Sequence, residues 1–88
     1  MLEKQFVIIN KLGLHARASA LFVKTASQFK SEIKVSRDGI EVNGKSIMGI
    51  MMLAAAKGAE IVLNVAGADE PEAFEKLGEL IVNGFGEE

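Results

Sequence analysis

Glu32-Ile33-Lys34-Val35-Ser36-Arg37-Asp38-Gly39-Ile40-Glu41-Val42 is the stretch on which the fold turns. Polar and apolar residues alternate from Glu32 to Arg37, which puts Ile33 and Val35 on one face of a strand. Asp38-Gly39 suits a two-residue hairpin turn whose central residues need positive φ. Ile40-Glu41-Val42 is therefore expected to return antiparallel to the first run, with Asn43-Gly44 ending the strand. Strands joined this tightly cannot be parallel neighbours, since a parallel pair needs a crossover of about a dozen residues or more. A doubly wound parallel sheet is excluded.

Working outward, Gln5 to Ile9 is a short β-branched and aromatic run that reads as a strand, and Glu60 to Ala66, dominated by Ile61, Val62, Leu63 and Val65, reads as another that stops at Gly67. Between them, Ala18, Leu21, Phe22, Thr25, Ala26 and Phe29 recur with helical period over about Ala16 to Phe29, with Lys24, Ser27 and Gln28 on the wet side. A middle helix is expected over Lys45 to Leu53. The last helix begins with a capping-box pattern, Asp69 followed three residues on by Glu72, turns Phe74, Leu77 and Ile81 inward, and stops at Gly84 after Asn83. Both termini are expected at the surface. The order β-α-β-β-α-β-α makes two split β-α-β units, so the expectation is an α+β open-faced sandwich: a four-stranded antiparallel sheet with three helices on one face and a polar opposite face. Strand order is not readable from periodicity.

With 88 residues, 49% hydrophobic and 25% charged, the chain is expected to form one domain over 1–88 that folds alone. The absence of cysteine excludes a disulfide framework and thiolate chemistry, and one His without Cys cannot supply a typical transition-metal shell, so no metal is expected, although carboxylates could hold a hard cation. The longest apolar run, Ile50 to Ala56, falls far short of the ~20 residues of a membrane span, and Met1-Leu2-Glu3-Lys4 lacks the layout of a signal peptide. The expected compartment is the cytoplasm, without membrane insertion. The net charge of −2 conceals a split, with +5 over residues 1–58 and −7 over 59–88. The basic part could steer acidic partners, while the acidic end argues against wrapping on nucleic acid; a pair of solvated faces accounts for the same asymmetry.

Lys11-Leu12-Gly13-Leu14-His15-Ala16-Arg17-Ala18-Ser19-Ala20 sets the only His at the start of a helix with a cation two residues later. Unpaired amides and the positive end of the helix dipole make an anion site there, and Arg17 adds a guanidinium fork suited to phosphate oxygens. A neutral imidazole in that setting is a nucleophile, and once phosphorylated it would carry negative charge into a place able to accept it. Each helix-end interaction is worth only ~0.3–1 kcal/mol at an exposed site, which suits a reversible bond. On spacing alone, His15 as a cap-like residue and Arg17 as a solvated cation explain the same pattern. Ser46, opening the middle helix, reads by default as a capping hydroxyl. That helix is apolar around nearly its whole circumference; Ile50 and Leu53 can face the sheet and leave Ile47, Met48 and Met51 as an adaptable exposed patch.

Gly13-Leu14-His15-Ala16-Arg17, followed by small residues and preceded by a strand, resembles the active-site segment of the histidine-containing phosphocarrier (HPr) family of the bacterial phosphoenolpyruvate-dependent sugar phosphotransferase system. The resemblance covers essentially the whole chain, including Val42-Asn43-Gly44-Lys45-Ser46-Ile47-Met48-Gly49-Ile50-Met51 and Ala56-Lys57-Gly58. It implies that enzyme I, phosphorylated from phosphoenolpyruvate, passes phosphate to Nδ1 of His15, which delivers it to an enzyme IIA domain. Arg17 would be the phosphate clamp and the amides of Ala16 and Arg17 the backbone donors. It further implies a monomeric carrier without cofactor or metal, not a stand-alone enzyme, and a regulatory phosphorylation of Ser46 by HPr kinase/phosphorylase beside the docking patch of Ile47, Met48 and Met51. Ala18 stands where the family usually has proline and Ser19 where alanine is common, departures that bear on rate and not on role. A family paralogue confined to carbon-catabolite regulation lacks the histidine, which His15 here retains.

Other readings stay open at this level. The nitrogen-related phosphotransferase branch would use the same His15 with different partners, and Asn10-Lys11-Leu12-Gly13 and Asn83-Gly84-Phe85 would suit it. A non-catalytic regulatory adaptor is a further alternative. An RNA-binding domain on a similar frame would need aromatic platforms on exposed strands, but the chain has no Trp or Tyr and only Phe6 of its five Phe falls in an expected strand. A stand-alone enzyme is disfavoured, because one His and no partnering nucleophile motif leave little for a complete catalytic constellation.

Overall fold

The computed structural model describes residues 1–87. β1 (Leu2–Val7), α1 (Ala16–Ala26), β2 (Glu32–Arg37), β3 (Ile40–Asn43), α2 (Ile47–Met52), β4 (Glu60–Ala66) and α3 (Glu70–Val82) follow in the expected order. The strands form one sheet in the order β1-β4-β2-β3 with every neighbouring pair antiparallel. Asp38 and Gly39, with φ of 50° and 83°, make the expected turn, and Arg37 lies opposite Ile40. β4 stands between the two halves of the chain: Leu63 faces Lys4 on one side and Val35 on the other.

Alternation then decides the faces. Ile33, Val35, Ile61, Leu63 and Val65 are buried toward the helices, while Glu3, Gln5, Lys34, Ser36, Glu41 and Asn64 lie on the opposite parity. On that outer face Lys34 bridges Glu32 at 3.0 Å and Glu41 at 3.6 Å. Phe6 turns inward against Phe74, with ring centroids 6.2 Å apart, so the outer face carries no aromatic ring among the described residues. Phe22 of α1, Ile50 of α2 and Leu77 of α3 fill the space above the sheet. No helix among the described residues is long and apolar enough to cross a membrane.

Three boundaries differ from the expected ones. β1 runs over Leu2–Val7 instead of Gln5 to Ile9, because Glu3, Lys4 and Gln5 sit on an edge strand whose exposed residues show no apolar alternation. Ile8 lies past Glu60, the first residue of β4, and bonds instead to the loop before it, through Ala59 O at 2.9 Å and Gly58 N at 2.7 Å. α1 stops at Ala26, not Phe29, because its last turn tightens: Gln28 N donates to Thr25 O and Phe29 N to Ala26 O, each at 3.1 Å. α2 is shorter than Lys45 to Leu53. It opens at Ile47 with Ser46 as its cap, and the Arg37 guanidinium takes the carbonyls of Leu53 at 3.0 Å and Ala54 at 3.3 Å beyond its end.

The capping box at α3 does not form. Asp69 occupies the N-cap position without a side-chain cap bond, and its carboxylate instead accepts from the amides of Lys30 and Ser31, at 2.9 Å each, and from the Ser31 hydroxyl. Glu70, not Glu72, reaches back, accepting from Gly67 N at 3.1 Å. The tertiary partners win because two amides and a hydroxyl of the turn into β2 converge on one carboxylate. The inward stripe of α3 is Ala73, Leu77, Gly78 and Ile81, with Phe74 only partly buried. The C-terminal residues depart from the surface position expected of them: Phe85 is buried and Glu87 is half-buried.

The Asp69 contacts generate a pH prediction. The Ser31 hydroxyl first, then the Lys30 amide, hold the carboxyl below its ordinary value of 3.8, so its contribution to stability is complete above that pH and is lost as pH falls through the lower folded value. Thermal unfolding of the wild type and Asp69→Asn should differ at pH 7 and converge toward pH 3. An equal gap at both pH values would show that the carboxylate's charge is not what the site uses.

Candidate functional site

Everything at the site depends on how the loop after β1 is pinned. Gly13 has a φ of +64°, and a Cβ there would lie 2.3 Å from Ala55 O and 2.8 Å from Ala56 Cα. Only a residue without a side chain lets these two backbones approach so closely. Leu14, buried, then donates its amide to Ala55 O at 2.8 Å. Ser19, fully buried in α1, donates its hydroxyl to Leu14 O at 3.0 Å and its amide to His15 O at 2.8 Å. These bonds seat His15 as the N-cap of α1, in extended conformation with φ −74° and ψ 179°. The amides of Ala16 and Arg17 follow it, in the first turn, where no carbonyl four residues back can serve them.

The His15 side chain makes no cap bond and remains 26% exposed. Its Nε2 lies 2.6 Å from Oε2 of Glu87. Glu87 is in turn fixed by Asn10, whose buried Nδ2 donates to Glu87 Oε1 at 3.1 Å and to Gly13 O at 2.7 Å. The Asn10 bond, and then the His15 bond, hold the Glu87 carboxyl below its ordinary value, with the charges of His15 and Arg17 adding to them and partial burial opposing. Arg17 is exposed on the rim that also carries Lys11, Leu12 and Ala16, and makes no ion pair among the described residues. His15 and Arg17 are thus brought together as the spacing implies.

Glu87 and Asn10 are what the sequence reading missed. Glu87 sits 72 residues from His15, and it reaches the ring because Gly84, Phe85 and Gly86 turn left-handed, with φ of 61°, 58° and 74°. That conformation costs a residue with a side chain about 1–2 kcal/mol. Burying the Phe85 ring, worth about 1.5–3 kcal/mol, offsets it. An isolated Phe between two glycines after a helix stop was the available signal.

On α2, Ser46 Oγ accepts from Gly49 N at 3.0 Å, the capping role read from the sequence. Ile50 and Leu53 are buried, whereas Met48 is 77% exposed and Ile47, Met51 and Met52 are exposed with it. Met52 was not in the expected patch. α2 packs on α1, so this apolar surface and His15 belong to the same helical layer. No group of three or more His, Cys, Asp or Glu among the described residues could hold a metal ion.

Residues 2–83 match the family described as PTS-HPr, the phosphorylation site of the HPr component of the phosphotransferase system. The phosphocarrier protein HPr of Neisseria meningitidis is 62% identical over 87 residues, covering 99% of this chain and 98% of that protein. The HPr of Cupriavidus necator is 54% identical over the same shares of each chain. Among solved structures, the crystal structure of HPr-C-His from Thermoanaerobacter tengcongensis superposes with a TM-score of 0.96 at 52% identity, over 100% of this chain and 99% of that one.

The close approach at Gly13 predicts a graded outcome. Gly39→Ala meets open space and should cost about 1 kcal/mol for its left-handed conformation alone. Gly13→Ala adds a backbone collision and should cost about 1–3 kcal/mol more in thermal unfolding. Equal losses would mean that the Gly13 contact yields without resistance.

Proposed function

The chain belongs to the HPr family of phosphocarriers of the phosphotransferase system, and on that premise we propose that its 88 residues act as one domain that accepts a phosphoryl group on Nδ1 of His15 from phosphorylated enzyme I and passes it to an enzyme IIA domain in sugar uptake. The observation that carries this reading is the position of His15: a solvent-reachable imidazole at the N-cap of α1, followed by the unserved amides of Ala16 and Arg17 and the uncommitted Arg17 guanidinium. A phosphoryl group carried on this ring adds negative charge where the amides and the helix dipole are positive. Arg17 is the fork that clamps its oxygens. Because each such interaction is small, the phosphoryl group stays transferable. The domain is a phosphorylated intermediate in the chemistry of other enzymes. On the same reading it works as a monomer in the cytoplasm.

The exposed Ile47, Met48 and Met51, joined by Met52, form the surface that enzyme I and enzyme IIA share; flexible thioethers repack against different partners. Ser46 at its edge is the regulatory site for HPr kinase/phosphorylase. A phosphate there would add about −1.5 to −2 charges beside an apolar docking surface, while its oxygens could keep accepting from Gly49 N.

Two measurements test this. His15→Ala should lose all acid-labile labelling from phosphoenolpyruvate and enzyme I while its unfolding curve stays near that of the wild type; persistent label on the variant would sink the assignment. For the surface, the initial labelling rate against carrier concentration should show half-saturation raised about tenfold, equivalent to ~1.4 kcal/mol, in Met48→Asp and in Ser46-phosphorylated protein, with the maximal rate little changed. Curves superimposed on the wild type would leave α2 without a docking role and Ser46 as a cap only.

A further inference from the structure

We propose that Glu87 is a positioning residue for phosphoryl transfer: its carboxylate holds the His15 imidazole in the tautomer with hydrogen on Nε2, so that Nδ1 presents its lone pair to phosphorus. The use made of the tautomer rests on the phosphocarrier reading of His15; the proton on Nε2 follows from the contact itself. At 2.6 Å, Nε2 and Oε2 must share a proton between them. An ionised carboxylate has only lone pairs to offer, so the proton belongs to Nε2. In its neutral form the imidazole carries one ring proton, and with that proton held on Nε2 the lone pair is left on Nδ1.

The carboxylate is itself held in place, which separates this contact from a chance surface pair. Asn10 is 97% buried, its relative exposure being 3%, and spends its Nδ2 on Glu87 Oε1 and on the carbonyl of Gly13, the residue whose close approach seats the loop. The left-handed turn at Gly84–Gly86, anchored by the buried Phe85, delivers Glu87 to that pair. Backbone turn, amide, carboxylate and imidazole thus form one connected network, and its turn and carboxylate lie beyond residues 2–83, the part matched by the family. The arrangement follows the logic of a carboxylate and histidine in nucleophilic catalysis, where the acid orients the ring and stabilises its cation without taking the proton.

Its consequence for the transfer is a step in which no proton has to leave the ring. As the Nδ1 lone pair forms the bond to phosphorus, the donor's bond to phosphorus breaks and its electron pair stays with the donor. The ring becomes an N-phosphorylated imidazolium with its hydrogen still on Nε2, facing the negative charge of Glu87. On delivery, the electrons of the Nδ1–phosphorus bond return to the ring and the same neutral tautomer is restored.

The test uses the full chain with 15N-labelled histidine. Nitrogen chemical shifts at neutral pH should show a bare Nδ1 and a protonated Nε2 in the wild type. Glu87→Gln, which keeps an acceptor oxygen but not the charge, should retain part of that preference, and Glu87→Ala should give a mixture of tautomers, with unfolding curves for both near the wild type. In labelling by phosphoenolpyruvate and enzyme I, Glu87→Ala should lower the maximal rate on the order of tenfold, the scale on which a partner orienting a functional histidine typically acts, with half-saturation unchanged. A wild type already mixed, or a Glu87→Ala variant with the wild-type shifts, would overturn the tautomer assignment and leave the carrier reading intact. A change confined to half-saturation would make Glu87 a docking residue and overturn the proposal as well. A wild type that takes up no label would instead sink the carrier reading, and the nitrogen shifts, which need no donor, would still report on the tautomer.

Discussion

β4 is hydrogen-bonded along both edges, to β1 through Phe6 opposite Ile61 and to β2 through Val35 opposite Leu63, and the rest of the molecule hangs on that double pairing. Its buried Ile61, Leu63 and Val65 supply the floor on which the helices sit. Because β1 pairs antiparallel with β4, Val7 opposite Glu60, the segment leaving β1 and the segment entering β4 run side by side. That adjacency is what lets Gly13 pack against Ala55 and Ala56, and Ile8 bond to Gly58 and Ala59. The histidine is a surface residue placed by a central strand.

The site built on this frame combines a rigid base with weak terminal contacts. Leu14, Ser19 and Asn10 are buried and fully engaged in fixing backbone, apart from Asn10 Oδ1, which has no partner among the described residues. The groups that would meet a phosphoryl group are the exposed ones, amides at a helix start and a solvated guanidinium. Individually they contribute fractions of a kcal/mol to about one. A carrier must release what it accepts, so precision in placing the nucleophile matters more here than depth of binding.

α2 shows the same division of labour on six residues. Ile50 faces inward, Ser46 caps one end, and Arg37 from the sheet satisfies carbonyls beyond the other, so that so short a helix holds its shape while its methionines stay exposed. An isolated helix of this length would not be stable in water. Tertiary contacts at both ends support it, and its outer surface is left apolar and exposed.

The hairpin at Asp38-Gly39, the extents of β2 and β4, the Ser46 cap and the placing of His15 and Arg17 at a helix start were all legible in the chain, since each is written in residues within a few positions of one another. A period of two, a turn needing positive φ and a hydroxyl three residues before an amide are local statements. The edge strand β1 was misplaced because, with one side open to water, its exposed residues carry no alternation to read. The capping of α3 went differently because Asp69 found Lys30 and Ser31, 39 and 38 residues away, a choice that exists only once β2 and α3 lie together. Glu87 reaching His15 across 72 residues is of the same kind. Local sequence determined which elements form and which face each turns inward; tertiary structure alone decided which distant polar groups meet, because a carboxylate is bonded by whichever donors the folded chain brings within 3 Å, and no neighbour in sequence records which those are.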